Sequence, residues 1–236
     1  MNITHHTRVG DIASEIPASI AVFERYGVDF CCGGDVPLAR ALEGTGLSVG
    51  DILAEIESAA TSAQTEDRLH EDWSKRDPAA LADHVEAVHH GYLRERLPSV
   101  GRKMATVLSV HGENHPELFE LGRLFERLRV EIEQHLVTEE TTVFPALREL
   151  VREAPTGSAE AALLSAIDNL EGEHETVGDL LKSIRGVTSN YVTPAGACAT
   201  YGSLFRDLRA LEADIHTHVH LENNVMFATT RRLLDS

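Results

Sequence analysis

Apolar residues recur along most of the chain at the three- and four-residue spacing of one helix face, and nowhere do they settle into the alternation of a half-buried strand. The pattern is longest after residue 77. Asp77-Pro78 supplies a capping side chain followed by a proline in the first helical turn, and Leu81, Val85, Val88 and Tyr92 follow at helical intervals. This predicts a helix that kinks near Pro98 and runs to about Val110. A second is expected from Pro116 through Leu118, Leu121, Leu124, Leu128 and Ile132 to Leu136, disturbed at Pro145. A third, capped by Ser158, carries Leu163, Ile167, Leu170, Val177 and Leu181 to about Ile184. A fourth opens at Thr193-Pro194 and runs through Leu204, Leu208, Leu211 and Ile215 to Leu234. Four long helices with short connections fold most simply as an antiparallel four-helix bundle, placed at residues 78–236.

Residues 1–60 carry shorter runs. Ile16, Ile20, Phe23 and Tyr26 share a helix face that Gly27 ends, and a small-residue loop follows, Asp29-Phe30-Cys31-Cys32-Gly33-Gly34. Two more short helices are expected at 36–42 and 49–56, separated by Gly44 and Gly46. A unit of about 60 residues is marginal alone and is expected to pack against the rest of the chain. Residues 61–77 turn polar and lose periodicity, which reads as a linker, with Trp73 docking back on a neighbouring domain. The fold class is therefore all-α, a small helical N-terminal domain preceding a bundle.

Charge narrows the functions. Against 38 Asp+Glu stand 21 Lys+Arg, a net charge of -17, which argues against nucleic-acid and anionic-membrane partners. No apolar run approaches the ~20 residues that span a bilayer, and the N-terminus has no apolar leader, so a cytoplasmic protein is expected. Three cysteines, two of them adjacent, make no disulfide framework. Cys31 and Cys32 read as thiols that could bind a soft metal, exchange disulfides or accept iron, or as a buried structural pair; Cys198 reads as an inert core thiol.

Thirteen histidines call for a ligand or a solubilising role. Two of them, His135 and His218, each precede a glutamate by four residues, Glu139 and Glu222, and that spacing puts imidazole and carboxylate on one helix face. With 13 His and 25 Glu in 236 residues about one such pair arises by chance, so spacing alone decides little. The pairs gain weight from lying on different expected helices and from a Phe five residues after each Glu, Phe144 and Phe227. The other two helices offer His90 and His174. Six such groups facing a bundle interior would leave buried charge and unsatisfied nitrogens unless cations joined them. Two irons or manganeses fit this donor set better than zinc, whose structural sites favour cysteine. By spacing alone His89 could replace His90, and His216 or His220 could replace His218; His84, His111 and His115 are expected at the surface or behind the ligands.

The Asp29–Gly34 loop with Leu38-Ala39-Arg40-Ala41 resembles the short N-terminal domain of the iron-sulfur cluster repair di-iron proteins, the repair of iron centres family. The segments from His135 to Pro145 and from His218 to Phe227, with Leu221-Glu222-Asn223-Asn224-Val225, resemble the metal-bearing segments of that family's haemerythrin-like domain. The resemblance covers nearly the whole chain. It implies a haemerythrin-like bundle with two non-haem iron ions, bridging carboxylates at Glu139 and Glu222, and terminal histidines at His90, His135, His174 and His218. It favours His90 over His89, by its position after Asp83-His84. It further implies repair of iron-sulfur clusters damaged by oxidative or nitrosative stress, with damaged cluster proteins as partners; Cys31 and Cys32 are then the candidate iron-transfer site. A haemerythrin-like protein binding dioxygen or nitric oxide, or an enzyme reducing nitric oxide, is the alternative. Ala228 stands where the family often has proline, which touches local helix geometry and no ligand.

Overall fold

The structure, a computed structural model, describes residues 3–65, 73, 76–152 and 157–235. The N-terminal unit consists of α1 (Val9–Glu15), α2 (Ser19–Tyr26), α3 (Leu38–Ala41) and α4 (Val49–Thr65). Gly27 ends α2 at φ 67°, a left-handed conformation that suits glycine. The cysteine loop then folds back on the start of α1, where Val9 and Gly10 donate to the carbonyls of Val36 and Gly34 at 3.0 and 2.8 Å. Helix α4 runs past the expected end at residue 56. Of the expected linker, residues 66–72 and 74–75 lie outside the described residues. Trp73 is half-buried against the bundle, its ring 4.4 Å from that of His84.

Four rods make the bundle. The first joins α5 (Pro78–Val85), a π-helical turn (Glu86–His90) and α6 (Gly91–His111). Asp77 caps it by accepting from Ala80 N–H at 2.8 Å. The second joins α7 (Glu117–Thr138), a π-helical turn (Glu139–Val143) and α8 (Phe144–Leu150), with Pro145 in the first turn of α8. The third is one unbroken helix, α9 (Ser158–Val187). The fourth joins α10 (Ala199–His220), a π-helical turn (Leu221–Phe227) and α11 (Ala228–Leu234).

The π turns explain where simple periodicity fails. Leu81 and Val85 are buried as expected, but Val88 is 48% exposed, and burial resumes at His89, His90 and Leu93. A π turn adds a residue to the helical circuit, so the buried stripe slips by one position as it passes. Helix starts also differ from expectation. Ser158 makes no capping bond and is the first helical residue after Gly157, and α10 begins at Ala199 because Pro194 to Ala197 form a turn closed by Ala197 N–H to the Pro194 carbonyl.

Buried apolar side chains form two clusters. One gathers the N-terminal unit with Leu93, Leu97, Leu128, Ile132, Leu181 and Leu208, and the other gathers Leu81, Val85, Phe144, Leu147, Ile167 and Phe227. Between them, at the same level on all four rods, lies a buried layer of histidine and glutamate.

Candidate metal centre

The structure brings all six sequence-derived residues together. His90, His135, Glu139, His174, His218 and Glu222 are each no more than 2% exposed. They form two overlapping sets, His90 with His218 and His135 with His174, and both sets share Glu139 and Glu222. Within each set one donor atom per residue lies within 4.8 Å of all the others. Glu139 reaches across both: Oε2 is 3.2 Å from His90 Nε2 and Oε1 is 3.3 Å from His135 Nε2. Glu222 does the same, with Oε1 2.9 Å from His218 Nε2 and Oε2 3.2 Å from His174 Nε2.

Outside the layer, Nδ1 of three imidazoles meets an oxygen. His90 faces Glu140 at 2.7 Å, His135 faces Glu173 at 2.8 Å, and His174 faces the Asn223 side-chain carbonyl at 2.8 Å. Glu140 is partly buried, yet Arg94 and His90 hold its carboxyl below the usual range, and the His135 hydrogen bond does the same for Glu173. Ionised carboxylates can only accept, so Nδ1 carries the proton and the Nε2 lone pair turns inward.

That arrangement crowds lone pairs. His135 Nε2 and His174 Nε2 stand 3.1 Å apart, and both oxygens of Glu139, Glu222 Oε2 and His90 Nε2 are buried without a well-directed hydrogen bond. Such orphaned acceptors are costly in a core. Cations between the two carboxylates would satisfy all of them, so the donor set fits a binuclear metal site. Protons are the other remedy. Burial alone would depress His90 and His135, but Glu139 and its neighbours raise His90 and hold His135 well above the ordinary imidazole range.

The alternative histidines face elsewhere. His89 turns to Asp214 at 3.0 Å. His216 and His220, four residues apart, share the helix face opposite His218 and look to the N-terminal unit. The His220 ring lies 3.3 Å from the Phe30 carbonyl and burial lowers its pKa to about 4, while the His216 ring meets Phe30 edge-on. Glu140, Glu173 and Asn223 were not singled out from sequence, although each adjoins a candidate ligand in the chain.

The chain matches two family models in series, ScdA_N, described as a domain of unknown function (DUF542), over residues 5–60, and the hemerythrin HHE cation binding domain over residues 81–230. It is 31% identical over 225 residues to the iron-sulfur cluster repair protein ScdA of Staphylococcus haemolyticus, covering 95% of this chain and 98% of that one. It is 32% identical over 219 residues to YtfE, the iron-sulfur cluster repair protein of Escherichia coli O1:K1, covering 93% and 94%. The chain belongs to the ScdA/YtfE family.

In this family member the resemblance read from the cysteine loop and the two His–Glu segments holds across both parts of the chain. The cysteine loop sits directly on the histidine–glutamate layer. Cys32 Sγ lies 3.5 Å from the backbone carbonyl of His174, and the Asn224 side-chain amide donates to the carbonyls of Phe30 and Cys31 at 3.3 and 3.0 Å. Asp29 Oδ1 gathers the N–H groups of Cys31, Cys32 and Gly33 at 3.3, 3.0 and 3.0 Å. Asp29, Cys31 and Cys32 form a third group of donor atoms within 4.8 Å of one another. Cys31 is buried, and the hydrogen bond to Cys32, then burial, keep its thiol protonated. Cys32 lines a cavity of about 500 Å³ bordered by Asp29, Lys182, Arg185 and His216. Cys198, expected as an inert core thiol, is instead exposed at the start of α10.

Proposed function

We propose that this chain holds two non-haem iron ions between Glu139 and Glu222 and uses them in repairing iron-sulfur clusters damaged by oxidative or nitrosative stress. The observation that carries the reading is the pair of donor sets sharing both carboxylates, with both oxygens of Glu139, Glu222 Oε2 and His90 Nε2 buried and without a hydrogen-bond partner. Relatives named for cluster repair, and a family model named for cation binding, support it. Four imidazoles and two carboxylates without a thiolate favour iron or manganese over structural zinc. Two bound irons would supply a redox-active, Lewis-acidic centre. The protein's own part is to fix it: Glu140, Glu173 and Asn223 lock three imidazoles, and the apolar clusters on either side keep water out.

Iron bound for a damaged cluster protein is cargo, and the cysteine loop is placed to hand it on. Cys32 stands between the backbone of His174 and the open cavity, with Cys31 behind it as a protonated reserve thiol. Binding of dioxygen or nitric oxide, or reduction of nitric oxide, needs the metal layer but not the cysteines, so the two readings separate experimentally. Iron is measured after anaerobic reconstitution of the full chain and of Glu139→Ala/Glu222→Ala, and its delivery to an apo-ferredoxin is followed with and without Cys31→Ser/Cys32→Ser. Fewer than about one iron per chain, or unchanged iron in the glutamate variant, overturns the metal assignment. Full iron with no delivery, and a stable spectrum on adding dioxygen or nitric oxide, supports the binding protein instead.

A further inference from the structure

At the end of the bundle away from the metal layer, α6, α7 and α10 bring together a second set of reactive side chains. Cys198 stands at the cap position of α10, exposed, with Sγ 3.2 Å from Nε2 of His111, the last residue of α6. As the cap residue Cys198 sits at the N-terminus of α10, next to the first backbone N–H groups of that helix. Tyr201 walls the pair from the core. Its ring lies 5.3 Å from His111 and 5.5 Å from His115, and its hydroxyl is buried without a hydrogen-bond partner. The other titratable neighbours are His115 and Glu117, bonded to each other at 2.9 Å.

We propose that Cys198 and His111 form a nucleophilic thiol–imidazole pair, and that Cys198 is the residue of this chain that takes up a low-molecular-weight disulfide. An imidazole donor at contact distance and a helix N-terminus both favour sulfur as the anion. The His111 hydrogen bond, followed by the nearby backbone N–H of Tyr201, brings the thiol down to about 7. In the exchange, Sγ attacks one sulfur of the disulfide. A Cys198 S–S bond forms as the ligand's own S–S bond breaks, and the proton of the Cys198 thiol passes by way of the hydrogen-bonded His111 to the departing thiolate. Cys198 is oxidised, one ligand sulfur is reduced, and one thiol is released.

No second cysteine can resolve the product. Helix α10 has 22 residues, and the cysteine loop packs on His220 at its opposite end, so about 30 Å separates Cys198 from Cys31 and Cys32. The mixed disulfide therefore persists until an outside thiol removes it.

The test treats the full-length protein with hydroxyethyl disulfide, an uncharged probe, and maps the modified peptide by mass over time. Cys198 is expected to react first, with a rate half-maximal near pH 7. A thiolate of lower pKa is more abundant at low pH but intrinsically less nucleophilic. His111→Asn is therefore expected to react about fivefold more slowly at pH 6 and about fivefold faster at pH 10. Prior reaction of Cys31 or Cys32, or a wild-type profile centred near the ordinary thiol value of about 8.5, overturns the proposal. The wild-type profile decides even where the variant folds poorly.

Discussion

Glu139 and Glu222 belong to both donor sets, whereas each histidine belongs to one. Removing a carboxylate should therefore empty the whole site, while removing a histidine should weaken one half. We expect Glu222→Ala to bind almost no iron after anaerobic reconstitution and His174→Ala to retain about one ion per chain, as read by elemental analysis. Equal loss in both would contradict the shared-carboxylate arrangement. The same residues set a pH dependence in the metal-free protein. His135 is raised well above its usual value despite burial, so its contribution is full below about pH 6.5 and fades as pH rises through its folded value. Glu222, likewise buried, is held well below the carboxylate range by His218, His135 and His174; its contribution is full above about pH 4.3 and is lost in acid. The melting temperature of metal-free protein should thus fall between pH 6 and pH 9, while metal affinity rises over the same range as protons leave the ligands. A metal-free melting temperature that climbs over that interval would count against this assignment. The buried histidine–glutamate cluster was legible because His–Glu spacing survives translation into helix geometry. Their outer partners were not, because Glu140 and Glu173 look like ordinary surface charge until the neighbouring rod is in place.

At the scale of elements, periodicity located the rods and misjudged their registers. Three of the four stretches that carry the histidine–glutamate cluster pass through or adjoin a π turn, and no residue type announces one. Phe144 N–H reaches back five residues to the Glu139 carbonyl, which lets the rod widen just before Pro145, a residue with no N–H to give. The choice between His89 and His90 depended on this extra residue, and hydrophobic spacing contained no trace of it. The docking of the cysteine loop depends on small residues that sequence marked only as a turn. A Cβ on Gly34 would stand 2.6 Å from the Asn224 side-chain oxygen and 2.7 Å from the Phe30 carbonyl. Gly34→Ala should therefore destabilise the docked loop by about 1–3 kcal/mol, as overpacking does. Faster alkylation of Cys32 in that variant, with the helical content of the bundle unchanged, is the expected reading; an unchanged alkylation rate would show that the contact yields without cost.

For the whole molecule, the histidine–glutamate layer divides one bundle into two apolar compartments. Metal bound there, as proposed, would tie all four rods and stabilise the folded state by mass action. At a free metal concentration about a hundred times the Kd this is roughly 2.7 kcal/mol. Stripping metal with a chelator should then lower the melting temperature by about 5–10 °C, with most of the helical circular dichroism retained. Among the described residues no helix is long and apolar enough to cross a membrane. All-helical architecture was legible from the start, because nothing in the pattern competed with period 3.6. How the N-terminal unit meets the bundle was not legible, since the contact rests on backbone carbonyls of Phe30 and Cys31 that look the same in any sequence. That contact ends on Asn224, and its immediate neighbour Asn223 holds the ring of His174. A single peptide bond thus separates the grip on the cysteine loop from the grip on an imidazole of the histidine–glutamate layer. In the proposed repair role, a client protein that pulled the loop away would tug on the orientation of His174 with no long relay in between, loosening the hold on the iron in the same movement that opened its exit.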